Sequence, residues 1–126
     1  NIQASDETRF HTSTGALFQV FSNLIMNSIA HGFKETREPA ISITGETLRD
    51  SVRFVYTDNG RGMDKHTRQH LYDPFFTTAR GQGGSGLGMH VVFNLVHQTL
   101  EGNIDCESAP GTGVKFTITF PLKQEQ

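Results

Sequence analysis

The chain has 126 residues, enough for one domain with a real hydrophobic core. Hydrophobic residues are 35% and charged residues 19%, a balance that fits neither a disordered chain nor a membrane-embedded one. The net charge of -2, from 11 basic and 13 acidic residues, leaves no basic footprint for nucleic acid.

The chain opens on Asn1 rather than Met and is expected to be a piece of something longer. Residues 1–13 are polar and weakly patterned, with Ile2 and Phe10 as candidates for short edge strands. Thr14 can cap a helix that runs to about Ala30 and stops near Gly32. At the helical repeat, Leu17, Phe18, Phe21, Leu24, Ile25, Ser28 and Ile29 share one broad side. Gln19, Asn23, Asn27 and His31 fall four apart on the other. Amides stand there instead of the long charges of a solvated face. Their carbonyl oxygens can ligate a hard cation such as Mg²⁺, and their N–H groups can reach phosphate oxygens. An ordinary solvated helix face is the plainer alternative.

Residues 40–44 read as a strand with Ile41 and Ile43 inward, and 51–57 as a second, with Val52, Phe54 and Tyr56 alternating. Asp58-Asn59-Gly60-Arg61-Gly62-Met63 follows, either a plain turn or a ligand loop. An aspartate there can accept a hydrogen bond from an exocyclic amine of a base, and Gly62 would let the base lie close to the backbone. Residues 64–71 form a short helix candidate ended by Asp73-Pro74. From 64 to 84 the chain reads as an extended lid. Within it His66 and His70 have the spacing of a metal pair, though solvated side chains suffice to explain them.

Five glycines crowd residues 81–90, and an apolar helical pattern runs from there to about residue 100. Glycines ahead of a helix expose N–H groups that an anion can use. The stretch lacks the lysine of a P-loop, and Gly84, Gly86 and Gly88 alternate, unlike a dinucleotide fingerprint. Residues 103–107 form a strand with Ile104 and Cys106 on one face; Cys106, the single cysteine, reads as a small buried residue of a reducing compartment. After a Pro-Gly-Thr-Gly turn, Val114, Phe116, Ile118 and Phe120 alternate with polar residues in the clearest strand of the chain. One apolar face per strand requires one covered side, so the expected fold is an α/β sandwich, a mixed sheet with helices over one face.

Taken together, these pieces resemble the catalytic and ATP-binding domain of sensor histidine kinases, within the superfamily shared with gyrase, Hsp90 and MutL. Asn23-Leu24-Ile25-Met26-Asn27-Ser28 is similar to the N box, and Asp58-Asn59-Gly60-Arg61-Gly62-Met63 to the G1 box. Asp73-Pro74-Phe75-Phe76-Thr77-Thr78 resembles the F box, and Gly84-Ser85-Gly86-Leu87-Gly88-Met89 the G2 box. The resemblance covers almost the whole chain, as one domain of residues 1–126. It implies a Bergerat-type sandwich with a mostly antiparallel sheet of five strands, three helices and a long ATP lid. It implies ATP and Mg²⁺ as ligands, with Asn27 on the metal and Asn23 beside it. Asp58 would read the adenine amino group. Gly60, Gly62 and Met63 would line the base pocket, with Thr112 on its far wall. Gly84, Ser85, Gly86, Leu87, Gly88 and Met89 would cradle the phosphates. Phe75 and Phe76 would anchor the lid. The family often places a basic residue where Ala30 stands, and His31 or Arg80 could substitute for it. Hydrolytic members carry a glutamate where Asn23 stands, which argues for phosphoryl transfer over hydrolysis.

The implied reaction passes the γ-phosphoryl group of ATP to a histidine on a separate dimerisation domain, usually in a homodimer, and thence to a response regulator receiver domain. None of the six histidines has the helical-hairpin setting of that acceptor. The implied setting is a cytoplasmic domain whose parent can be anchored in the inner or plasma membrane. The alternatives are an ATPase or ATP-gated conformational module of the gyrase–MutL type, and a degenerate nucleotide-binding regulatory domain.

Overall fold

The computed structural model of the chain describes residues 4–74 and 88–122, with residues 4–13 as backbone only. Its first element, α1, spans Ala4–Asn27 and continues as a π turn over Ser28–Gly32. A long connection then leads to the antiparallel pair β1 (Ile41–Thr47) and β2 (Ser51–Asp58). The short helix α2 (Lys65–Gln69) is capped by Asp64, whose side chain accepts from the Thr67 N–H at 2.8 Å. After α3 (Gly88–Asn94) and a second π turn (Leu95–Thr99) come β3 (Asn103–Ser108) and β4 (Val114–Pro121).

The sheet order is β1-β2-β4-β3, every pairing antiparallel. β4 is therefore the strand that enters the middle, and its strict alternation follows from that place. Phe116 and Ile118 are buried beneath the helices, while Lys115 on the opposite face is exposed. The core lies between this one face and α1 and α3, with Val20, Leu24, Tyr56, Val92 and Val96 among its fully covered side chains. Phe21 meets Phe54 edge-on at 5.4 Å, and Phe54 stacks on Phe120 at 6.1 Å, so α1 is pinned to the sheet by aromatic contacts. The expected α/β sandwich is present, with four strands among the described residues.

Several local expectations are corrected. α1 begins at Ala4, not at Thr14, so the backbone at Phe10 is helical and not an edge strand; Ile2 lies outside the described residues. A Cβ at Gly15 would meet nothing within 4 Å, and the helix simply passes through it. The buried stripe of α1 is also narrower than its apolar pattern. Ala16, Val20, Leu24 and Ser28 are buried, whereas Phe18 and Ile29 are 74% and 57% exposed. Ile43, expected inward, is 41% exposed, because the covering helices do not reach over most of the edge strand β1.

Candidate functional site

Asp58 ends β2 and is 8% exposed as a residue, a burial that needs compensating donors for its carboxylate. Three converge on it. The Gly60 and Val114 N–H groups donate to Oδ1 at 3.0 and 3.1 Å, and the Ser28 hydroxyl donates to Oδ2 at 2.6 Å. The Ser28 hydroxyl lies 2.5 Å from that of Tyr56, and the latter is 3.1 Å from the Leu24 carbonyl. Burial, chiefly, holds the Tyr56 phenol above its usual pKa, with the Asp58 charge adding and the Ser28 hydrogen bond opposing. Sequence reasoning singled out Asp58 but counted Ser28 and Tyr56 only as inward-facing residues. A hydroxyl on the apolar side of α1 was the signal to pursue.

The loop after Asp58 is held by backbone contacts too close for any side chain. The Asn59 side chain bonds the connection just before β1, accepting from Ala40 N–H at 2.8 Å and donating to the Glu38 carbonyl at 2.9 Å. The Arg61 N–H reaches the Gly32 carbonyl at 2.8 Å, which joins the loop to the end of the N-terminal π turn. Gly62 has φ of 73°, and a Cβ there would fall 2.1 Å from the Ala109 carbonyl oxygen. Met63 N–H donates to the Ser108 hydroxyl at 2.9 Å, which in turn donates to the Gly113 carbonyl at 2.7 Å. The G1-type loop and the 109–113 turn are thus one unit.

An open cleft of about 530 Å³ is lined by Asp58, Ser108, Ala109, Thr112 and Val114, with Arg68 from α2 and Glu107 and Lys115 from the strands. Thr57, Lys115 and Glu107 are cross-strand neighbours on the face of the sheet turned away from the helices, so this cleft opens there, and none of Asn23, Asn27, His31, Gly60, Gly62 and Met63 lines it. The Thr112 hydroxyl is committed to its own turn, donating to the Ala109 carbonyl at 2.8 Å.

Asn23 and Asn27 sit one turn apart, both half-buried, on the flank of α1 rather than opposite its buried stripe. The Asn23 amide approaches the Gly88 carbonyl at 3.5 Å, so that flank faces the first residue of α3. The backbone turns from α to π after Asn27, a distortion that recurs at functional sites. The Asn27 side chain makes no capping bond to that turn. His31 lies within it, and its Nδ1 is buried with no partner among the described residues. Burial foremost, then the charges of Lys34 and Arg61, depresses its pKa and favours neutral imidazole.

Gly60 is buried in the loop, Gly88 is exposed at the start of α3, and Met89 is 7% exposed within the core. Phe75, Phe76, Arg80, Gly84, Ser85, Gly86 and Leu87, and with them residues 75–84 of the expected lid, lie outside the described residues. His66 and His70 have rings 4.7 Å apart, and His70 Nδ1 is 2.8 Å from an Asp73 carboxylate oxygen. No group of three or more His, Cys, Asp or Glu side chains suited to a metal occurs among the described residues. A divalent cation at this site would therefore draw most of its oxygens from a ligand, as Mg²⁺ does on a nucleotide triphosphate, and an amide oxygen such as that of Asn27 fits that donor set.

Comparison with known proteins identifies the family and the fold. Residues 12–124 match the family described as histidine kinase-, DNA gyrase B-, and HSP90-like ATPase. The chain is 36% identical over 119 residues to the sensor histidine kinase ZraS of Klebsiella oxytoca, covering 94% of this chain and 24% of that protein. It is 31% identical over 115 residues to the sensor protein EvgS of Escherichia coli K12, covering 86% and 10%. The chain thus spans a quarter or less of these relatives' length. Among solved structures, the catalytic domain of histidine kinase ThkA superposes with a TM-score of 0.69 at 28% identity, over 85% of this chain and 67% of that one. The family match over nearly the whole chain, on a fold with these loops at one end of the sheet, makes this protein a member of the histidine kinase-, gyrase B- and HSP90-like ATPase family, in the form typical of sensor histidine kinases.

Proposed function

We propose that this chain binds Mg-ATP and donates its γ-phosphoryl group to a histidine on a separate dimerisation domain of the same protein, in a two-component sensor kinase. The observation that carries the reading is Asp58: a buried carboxylate accepting from three fixed donors and backed by loops in backbone contact. Such a group suits an adenine amino group, and Gly62 allows the base close approach.

In this reading the neutral imidazole of the acceptor attacks the γ-phosphorus in line, and the bond to the bridging β-oxygen breaks to release ADP. Mg²⁺, when bound with the nucleotide, neutralises phosphate charge. Asn27 would contribute an amide oxygen to it, with Asn23 alongside. Backbone N–H groups at Gly86 and Gly88 would meet the phosphates, and His31 or Arg80 would add a further polar contact. With an amide at Asn23, the site has no carboxylate at that position to activate water, which favours transfer over hydrolysis. The partners would be the phosphoacceptor domain in a homodimer and then a response regulator receiver domain. No described helix is long and apolar enough to cross a membrane.

The test is calorimetric titration with ATP, with and without Mg²⁺, on the chain and on Asn27→Ala and Asp58→Ala. Asp58→Ala should weaken binding under both conditions, and Asn27→Ala chiefly with Mg²⁺. Unchanged affinity in both variants would sink the site. Appreciable ATP turnover without an acceptor domain would instead favour the hydrolytic alternative.

A further inference from the structure

The buried hydroxyls behind Asp58 have a defined direction. Tyr56 and Ser28 are 0% and 2% exposed, and both hydroxyls find their partners within the protein. Two hydroxyl protons serve three contacts: Ser28 to Asp58 Oδ2 at 2.6 Å, Ser28 to Tyr56 at 2.5 Å, and Tyr56 to the Leu24 carbonyl at 3.1 Å. A carboxylate oxygen can only accept, so the Ser28 proton goes to Asp58. The 2.5 Å contact then needs the Tyr56 proton, which makes Ser28 acceptor to Tyr56 and donor to Asp58. The longer Leu24 contact is left as the secondary one. A chain of aligned hydroxyls polarises its members and strengthens its terminal bond.

That bond fixes the one oxygen of Asp58 not already taken by backbone. Oδ1 carries two N–H donors. Oδ2 has Ser28 on one side, and the Gly32 backbone so near that a Cβ there would come within 3.2 Å. An outside donor must use what remains of Oδ2, and rotation of the carboxylate would lose its aim.

We propose that Ser28 and Tyr56 are positioning residues that lock the Asp58 carboxylate as an acceptor and thereby set the preference of this site for 6-aminopurine nucleotides. The inference rests on the function proposed above and extends it to two residues that never touch the ligand. It separates aim from fold: losing the Ser28 hydroxyl should cost only the ligand that donates to Asp58.

The experiment compares ATP with purine riboside 5′-triphosphate, which has hydrogen in place of the 6-amino group, by calorimetry on the chain. The unaltered protein should prefer ATP by roughly tenfold or more, the scale of one hydrogen bond to a charged group. Ser28→Ala should shrink that preference to about threefold or less by weakening ATP alone, because loss of one fixed donor frees the carboxylate to turn. Tyr56→Phe should act in the same direction and less, and Ser28→Thr, which keeps the hydroxyl, should retain the preference. Equal weakening of both nucleotides in Ser28→Ala, or a preference that survives both hydroxyl deletions, overturns the inference alone. If the unaltered protein binds neither nucleotide, the proposed function falls and takes the inference with it.

Discussion

Replacing Gly62 by alanine puts a number on the contact between the two loops of the site. At φ of 73° a Cβ carries a left-handed penalty of about 1–2 kcal/mol. It would also stand 2.1 Å from the Ala109 carbonyl oxygen, where ordinary contact begins beyond about 3 Å. The loops must part by roughly 1 Å, an overpacking strain of about 1–3 kcal/mol. Parting them also endangers the Gly111 N–H bond to the Arg61 carbonyl, now 2.7 Å and worth about 1 kcal/mol. The sum is about 3–6 kcal/mol, within the total stability of a domain of this size. Gly111 provides the control. Its φ is 84°, but a Cβ there meets nothing within 4 Å, so Gly111→Ala should cost only about 1–2 kcal/mol. Urea denaturation of both variants should differ by about 2–4 kcal/mol, and melting temperatures by roughly 10 °C. Equal losses would refute the reasoning, since φ alone would then account for both glycines.

Two further outcomes follow from titrating groups. His31 has its pKa lowered by burial, so neutral imidazole favours the fold; stability is full above the unfolded value near 6.5 and is lost as pH falls through the lower folded value. His31→Gln should therefore reduce the fall in urea midpoint between pH 7.5 and 5.5, and an undiminished fall would assign it to other groups. Burial, above all, pushes the Cys106 thiol up to about 11, against the pull of the Arg68 charge. At pH 8 only about one thousandth is thiolate, so a disulfide reagent should react roughly a hundredfold or more slowly with the folded chain than in urea.

The sequence disclosed most where one physical constraint acted alone. The strict alternation from Val114 to Phe120 reports a strand covered on one side, and β4 has that environment. Asp58 before a glycine loop was legible because few structural roles need that order of residues. Phe18, Ile29 and Ile43 misled because periodicity says which residues share a side, not how far the covering layer extends. Thr14-Gly15 resembled a helix start because the local signal there is strong, yet the preceding polar residues are adequate helix formers. The π turns left no mark, since Asn27 and Asn94 are ordinary residues at the point where the hydrogen-bond step changes. Ser28 and Tyr56 became meaningful only when two distant segments were brought within a hydrogen bond.

The two ends of the stretch between α2 and α3 are anchored independently of what lies between. Leu71 and Met89 are both buried in the core, and the Tyr72 carbonyl is bonded to His90 Nδ1 at 3.2 Å. Between two fixed anchors the entropy of closing a flexible connection grows only with the logarithm of its length, about 0.6 kcal/mol per doubling. Stability and any change confined to residues 75–87 are thereby decoupled: the anchors at Leu71, Tyr72, Met89 and His90 hold whatever joins them.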